Sequence, residues 1–158
     1  MQVHEIMTHG AEIADPNAAI CEIARKMRTE DIGALPVREN DRLIGMITDR
    51  DIALRAVAYE HDATSTTVRN VMSDQVFYCF EENDVEEAAR LMAQHQVRRL
   101  PVLNRERRLT GIVALADLSL KAHEASLAAF KGVLAPQSQD TIVPIGRPRR
   151  RAAAARGT

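Results

Sequence analysis

Apolar side chains recur along this chain with two periods. Ile20, Ile23, Ala24 and Met27 have the i, i+3, i+4, i+7 spacing of one helix face, and Val85, Ala88, Ala89 and Met92 have it again. Short apolar runs bounded by polar turns predict strands: Leu35-Pro36-Val37 and residues 43–47 in the first half, Leu100-Pro101-Val102 and residues 109–113 in the second. Residues 11–14 and 76–80 are the expected opening strands, and a second helix is expected to start near Asp51 and near Asp117. Asp15-Pro16 reads as a helix start with proline in the first turn, and Asn83-Asp84-Val85-Glu86 as a capping-box arrangement. Proline has no N–H to give a ladder, so Pro36 and Pro101 predict an edge strand or a first strand position.

These elements form a repeat. Glu5-Ile6-Met7-Thr8 matches Asn70-Val71-Met72-Ser73, an offset of 65 from Met7 to Met72 that holds through Val37 and Val102. From Gly45 to Gly111 the offset is 66, and the extra residue falls in the polar turn between Leu103 and Leu109, where a change of length is tolerated. The expected fold class is α+β: two tandem β-α-β-β-α units. Each has one apolar face and is too small to bury enough surface alone, so the two should share a core, packed face to face about a pseudo-twofold axis. The expected boundaries are 1–62 and 63–130. A flexible basic tail is expected over 131–158, where Pro136, Pro144, Pro148 and a run of arginines break the pattern.

Composition narrows the function classes. With 46% hydrophobic and 27% charged residues among 158, the chain reads as a packed soluble protein. Its net charge of −1 conceals an asymmetry: setting aside the five arginines of residues 147–158 leaves −6 on residues 1–146. One short basic run beside an acidic body with few aromatics makes nucleic acid an unfavoured partner. No apolar run reaches membrane-spanning length and the N-terminus lacks the pattern of a signal peptide, so a cytoplasmic location is expected. Cys21 and Cys79 make no CxxC pair and read as partly buried thiols. His4, His9, His61, His95 and His123 form no cluster with Cys or carboxylates, so no metal site is expected. Met7, Met27, Met46, Met72 and Met92 lie on apolar patterns and read as core. No P-loop, nucleophile elbow or dinucleotide fingerprint occurs, and the chain does not read as an enzyme.

Two segments carry the candidate chemistry: Gly45 to Asp51 and Gly111 to Asp117, each where a strand runs into a helix. Unpaired N–H groups and the helix dipole favour an anion there. The Asp51 carboxylate can accept both hydroxyl protons of a ribose, the Thr48 hydroxyl can donate to a phosphate oxygen, and Arg50 adds charge. Thr48-x-x-Asp51 is equally the pattern of a helix capping box, and on spacing alone that structural reading is favoured. In the second copy Ala114 has no hydroxyl, yet Asp117 is retained.

Taken together, Ile6-Met7-Thr8, Ile32-Gly33-Ala34-Leu35-Pro36-Val37 and Gly45 to Asp51 resemble one CBS motif. Val71-Met72-Ser73, Val97-Arg98-Arg99-Leu100-Pro101-Val102 and Gly111 to Asp117 resemble a second. The resemblance covers about residues 1–122 and is nearest to stand-alone bacterial CBS pairs. It implies a cleft in each repeat for AMP, ADP, ATP, or sometimes NAD or S-adenosylmethionine. Carried over, Thr48 and Asp51 would hold phosphate and ribose in the first site, with Arg50 adjacent and Gly33, Ala34 and Pro36 beside the base. In the second, Asp117 would hold ribose with Arg99 and Pro101 alongside, while Ala114 departs from the family's Ser or Thr. The resemblance also implies a homodimer. The leading expectation is therefore a regulatory module that requires no cofactor, takes an adenine nucleotide as ligand and acts on an unidentified protein. The competing one is a structural adaptor with vestigial clefts.

Overall fold

The computed structural model describes residues 1–135; the arginine-rich end of the expected tail lies outside them. A 3-10 turn at Val3–Glu5 leads into β1 (Thr8–His9). The first repeat continues with α1 (Ile20–Glu30), β2 (Ala34–Glu39), β3 (Arg42–Thr48) and α2 (Asp49–Arg55), and a second 3-10 turn spans Val57–Tyr59. The second repeat comprises α3 (Val68–Val71), β4 (Cys79–Phe80), α4 (Val85–His95), β5 (Arg99–Leu103), β6 (Leu109–Ala114) and α5 (Leu115–Lys121). One more helix, α6 (His123–Val133), follows. It runs past the expected tail boundary at residue 131 and packs on α4 and α5.

The two long helices bury the predicted stripes, Ile20, Ile23 and Met27 on α1 and Val85, Ala88, Ala89 and Met92 on α4. Ala24 is the exception and is exposed. Their starts differ from expectation. Asp15 Oδ1 accepts from the Asn17 N–H at 2.8 Å, which makes a local turn, and α1 begins only at Ile20. Before α4, Asn83 takes the polar role: it accepts from the Phe80 N–H at 2.6 Å and donates to Glu87 at 2.7 Å, while Asp84, the N-cap, makes no side-chain cap bond.

The strands form a four-stranded sheet in the order β1-β6-β5-β4 and a separate hairpin, β2-β3. Thr8 of the first repeat pairs with Ile112 of the second, and Ser73 of the second pairs with Met46 of the first. Exchanging the halves maps one contact onto the other, which is the signature of the pseudo-twofold. This exchange explains why the opening strands are shorter than predicted. The chain just upstream of each is committed to the opposite repeat, leaving only the Ala14–Val37 bridge and Cys79–Phe80 to pair at home. Pro101 corrects the edge-strand expectation, since β5 lies between β6 and β4. It is tolerated there because β4 pairs only with Val102 and Leu103. Pro36 contributes its carbonyl, which accepts from the Ala14 N–H at 2.9 Å.

Burial is organised as two clusters rather than one shared core. Val3, Ile6 and Met7 pack with residues of the second repeat, while Val68 and Val71 pack with those of the first. The halves are thus held together by swapped leading segments, and in space residues 3–7 belong with the second repeat. Gly45 and Gly111 permit the crossings. A Cβ at Gly45 would lie 2.7 Å from Met72 Sδ and 2.8 Å from the Ser73 carbonyl, and one at Gly111 would overlap the Thr8 carbonyl.

Candidate functional site

The start of α2 is built as the capping spacing predicts. Thr48 is extended (φ −119°, ψ 161°) and its hydroxyl accepts from the Asp51 N–H at 3.0 Å, while Asp51 Oδ2 accepts from the Thr48 N–H at 3.0 Å. Both side chains proposed for phosphate and ribose are therefore engaged with each other's backbone. Asp51 is only 8% exposed. Burial pushes its carboxyl above the ordinary aspartate value, against the pull of Arg55 and of the Thr48 hydrogen bonds.

Arg55, one turn on and also 8% exposed, was not anticipated. Its Nε lies 3.8 Å from Asp51 Oδ1, and its Nη1 donates to the carbonyls of Val71 and Met72 at 3.0 and 2.9 Å. It ties α2 to the C-terminal end of α3. Its repeat partner, Lys121 on α5, donates to the Ile6 carbonyl at 3.4 Å, the equivalent place at the other crossing. The signal in the sequence was an i, i+4 acid–base pair in each copy, Asp51–Arg55 and Asp117–Lys121.

At the start of α5 half of the box survives. Asp117 Oδ2 accepts from the Ala114 N–H at 2.7 Å, and Ala114 offers no side-chain cap. Ala114 keeps the extended backbone of its counterpart, φ −110°, ψ 158°.

Beside each helix start lies a cleft, and the two share the repeat-equivalent positions Gly33/Arg98 and Asp49/Leu115 at the strand-to-helix junction. The first, of about 290 Å³, is lined by Met27, Arg28, Asp31, Ile32, Gly33 and Asp49. The second, of about 380 Å³, is lined by Arg98, Arg99, Ala114, Leu115, Ala116, Phe130, Val133 and Leu134. The same backbone bond closes both floors, Asp49 N–H to the Gly33 carbonyl at 3.0 Å and Leu115 N–H to the Arg98 carbonyl at 2.9 Å. Where the first repeat has Gly33 and Asp49, the second has Arg98 and Leu115. That pair of changes adds one guanidinium and removes one acid. Arg99, the absence of counterparts to Arg28 and Asp31, and a wall of Phe130, Val133 and Leu134 complete the difference between a narrow cleft with two acids and one base and a wider one with two guanidinium groups and no acid in its lining.

Of the first-site residues anticipated from sequence, Gly33 lines its cleft. Ala34 is half-buried and paired with Thr48, Pro36 is buried opposite Met46, and Arg50 is exposed. Of the second-site residues, Arg99 and Ala114 line the cleft. Pro101 is buried opposite Ile112, and Asp117 is turned to its cap. Sequence reasoning missed Asp49, Arg98, Leu115 and the contribution of α6, for which the i, i+3, i+4 spacing of Phe130, Val133 and Leu134 was the available signal.

Among the described residues no group of three or more His, Cys, Asp or Glu comes together as metal ligands, and no helix is long and apolar enough to cross a membrane. The Cys79 thiol is pushed up to about 12 by burial and then by Glu87, which keeps it protonated and unreactive.

Comparison with known proteins agrees with this architecture. Residues 3–57 and 68–124 each match the CBS domain family. The chain is 44% identical over 118 residues to the CBS domain-containing protein YhcV of Bacillus subtilis, covering 75% of this chain and 83% of that one. It is 35% identical over 136 residues to Hypoxic response protein 1 of Mycobacterium tuberculosis, covering 85% and 94%. Among solved structures, that of Hypoxic Response Protein I with two coordinated zinc ions superposes with a TM-score of 0.71 at 34% identity, covering 77% of this chain and 98% of that one. The CBS domain pair of protein MJ0100 in complex with 5′-methylthioadenosine and S-adenosyl-L-methionine gives 0.68 at 29%, covering 76% and 94%. Two matched domains, reciprocal strand exchange and repeat-related clefts lead to one conclusion: the chain belongs to the CBS domain family and carries that domain twice in tandem.

Proposed function

We propose that this CBS pair is a non-catalytic regulatory module that takes an adenosine-type ligand in its strand-to-helix clefts, foremost in the second. The observation that carries this reading is the contrast in lining. Small-molecule sites generally enclose about 300–1,000 Å³ behind apolar walls with a few placed polar groups. The second cleft, at about 380 Å³, falls within that range and has that character. Arg98 and Arg99 suit the phosphates of AMP, ADP, ATP or NAD, and Phe130 offers a face to a purine. The likeness to the MJ0100 pair, which is in complex with two adenosine derivatives, supports the same class. The first cleft is smaller and carries Asp31 and Asp49, which oppose an anion.

Calorimetric titration of the full chain with AMP, ADP, ATP, NAD and S-adenosylmethionine tests the reading. Arg99→Ala removes a charged hydrogen-bond donor, worth about 1.5–3 kcal/mol, and should weaken nucleotide binding about ten- to hundredfold. No binding to the parent at millimolar concentration would replace the sensor reading with that of a structural adaptor. The Thr48–Asp51 box favours that second reading for the first repeat, because it occupies both side chains with helix capping. If instead Asp51→Ala abolishes nucleotide binding in a chain that still melts cooperatively, the first cleft is the site. The homodimer belongs to the same proposal. Leu54 and Leu120 hold equivalent places on α2 and α5 and are 41% and 79% exposed, an apolar surface for a second copy. Light scattering showing only a 17.5 kDa species at micromolar concentrations would exclude it.

A further inference from the structure

The second cleft has one component with no counterpart in the first, the helix α6. Phe130 and Val133 of that helix, and Leu134 just past it, form one wall, while Arg98 and Arg99 at the start of β5 and residues 114–116 at the β6–α5 junction form the rest. α6 is attached through small residues. Ala129 is fully buried, and Gly132 lies so close to Ala93 of α4 that a Cβ there would overlap it. Beyond the helix, the Gln96 side chain donates to the Ala135 carbonyl at 3.4 Å. The outer edge stays in water, with Leu127 and Leu134 at 60% and 65% exposed. The helix therefore packs closely along α4 and α5, with Ala129 in the core of the second repeat, and reaches over the cleft with its apolar face.

We infer that docking of α6 and occupation of the second cleft are one coupled equilibrium, and that α6 is the element by which the chain reports its ligand. The inference rests on the reading above that the clefts take an adenosine-type ligand. A body lying in this cleft touches the strand-to-helix junction and α6 together. With α6 undocked it loses all three apolar wall residues. By linkage, the factor by which docking tightens the ligand equals the factor by which the ligand tightens docking. The wall chemistry also selects within the class. Two guanidinium groups and no acid among the lining residues, the nearby Asp117 being held as the cap of Ala114, favour an anionic phosphate over the sulfonium of S-adenosylmethionine, so AMP is the better match.

Hydrogen–deuterium exchange of the full chain with and without saturating AMP, paired with calorimetry, tests the coupling. AMP should slow exchange along residues 127–135 as well as at 114–116, and S-adenosylmethionine should bind more weakly than AMP. Gly132→Leu drives a side chain into Ala93 and lifts α6, and should lower AMP affinity about tenfold, within the usual range of coupling between sites. Phe130→Ala, at a position 38% exposed, shifts affinity in the same direction and serves if Gly132→Leu does not fold. Protection at 114–116 without any on α6, with parental affinity in the variants, would refute the coupling and leave the cleft reading intact. Protection confined to Gly33 and Asp49 would place AMP in the first cleft and refute it as well. Absence of heat and of protection at millimolar AMP would remove the cleft reading and the coupling together.

Discussion

The starts of α2 and α5 are the same piece of backbone carrying different side chains, and the difference lies in how tightly each is tied into the fold and in what its cleft presents. In the first repeat Thr48, Asp51 and Arg55 form a buried polar chain that caps the helix and grips the opposite crossing. The adjoining cleft is small and acidic. In the second repeat the cap is halved, the gripping cation is an exposed lysine, and the cleft is larger, basic and walled by an extra helix.

Removing the two cations in turn separates the two crossings most clearly. Arg55→Ala leaves the Asp51 carboxylate buried without its partner and orphans two carbonyls at the end of α3. Breaking a buried pair from one side costs about 3–5 kcal/mol. Lys121→Ala removes one long hydrogen bond from an exposed side chain and should stay within about 0.5 kcal/mol. Urea denaturation of the two variants reads the difference directly. Equal losses would mean that the two crossings are energetically alike.

The crossings themselves come next. Gly111→Ala drives a methyl into the Thr8 carbonyl, backbone held in the β1–β6 pair, while Gly45→Ala sets one less closely, 2.8 Å from the Ser73 carbonyl of the Met46–Ser73 bridge and 2.7 Å from the Met72 sulfur, which can turn aside. Overpacking of this kind costs about 1–3 kcal/mol, with Gly111→Ala at the upper end. If both substitutions leave the melting temperature unchanged, the swapped segments are not what joins the halves.

The repeat, the helix stripes and the strand pairs were legible because they rest on local periodicity, and the capping box because it is a four-residue pattern. The exchange of leading segments was not, since nothing in Ile6-Met7-Thr8 or Val71-Met72-Ser73 states which sheet each will join. Pro101 misled for the same reason: whether a strand lies at an edge depends on how far β4 extends. The clefts were half legible. Gly33, Arg99 and Ala114 fall in motifs, whereas Phe130, Val133 and Leu134 come from a helix that the motif does not contain, and Asp51, offered from sequence as the ribose ligand, is turned to the Thr48 N–H as the cap its spacing also allowed.

Exchanging the caps between the repeats has a smaller effect. Thr48→Ala gives the first repeat the N-cap of the second and should cost about 1 kcal/mol, the usual value of such a cap. Ala114→Ser does the reverse. Residue 114 already has the extended backbone of a cap, so the new hydroxyl can accept from the Asp117 N–H and should add up to about 1 kcal/mol. Differential scanning calorimetry should show opposite shifts of melting temperature. A loss of stability in Ala114→Ser would mean that its surroundings have closed against a side chain.

The smallest effect is in pH, and its sign follows from Asp51. Burial raises its folded-state value above the ordinary 3.8, so the folded chain holds this proton more tightly than the unfolded one does. The group therefore contributes most below the unfolded value, and that contribution is lost as pH rises through the folded one. This is the reverse of a surface carboxylate held by a salt bridge. The effect is limited because Arg55 and the Thr48 hydrogen bonds act against desolvation. Asp51→Asn keeps an acceptor for the Thr48 N–H but cannot ionise, so the stability of the parent relative to this variant should decline as pH is raised from 3.5 to 6. Melting curves across that range check it. A relative stability that rises with pH would show that Arg55, rather than burial, governs the carboxylate, and would make the junction an ordinary ion pair.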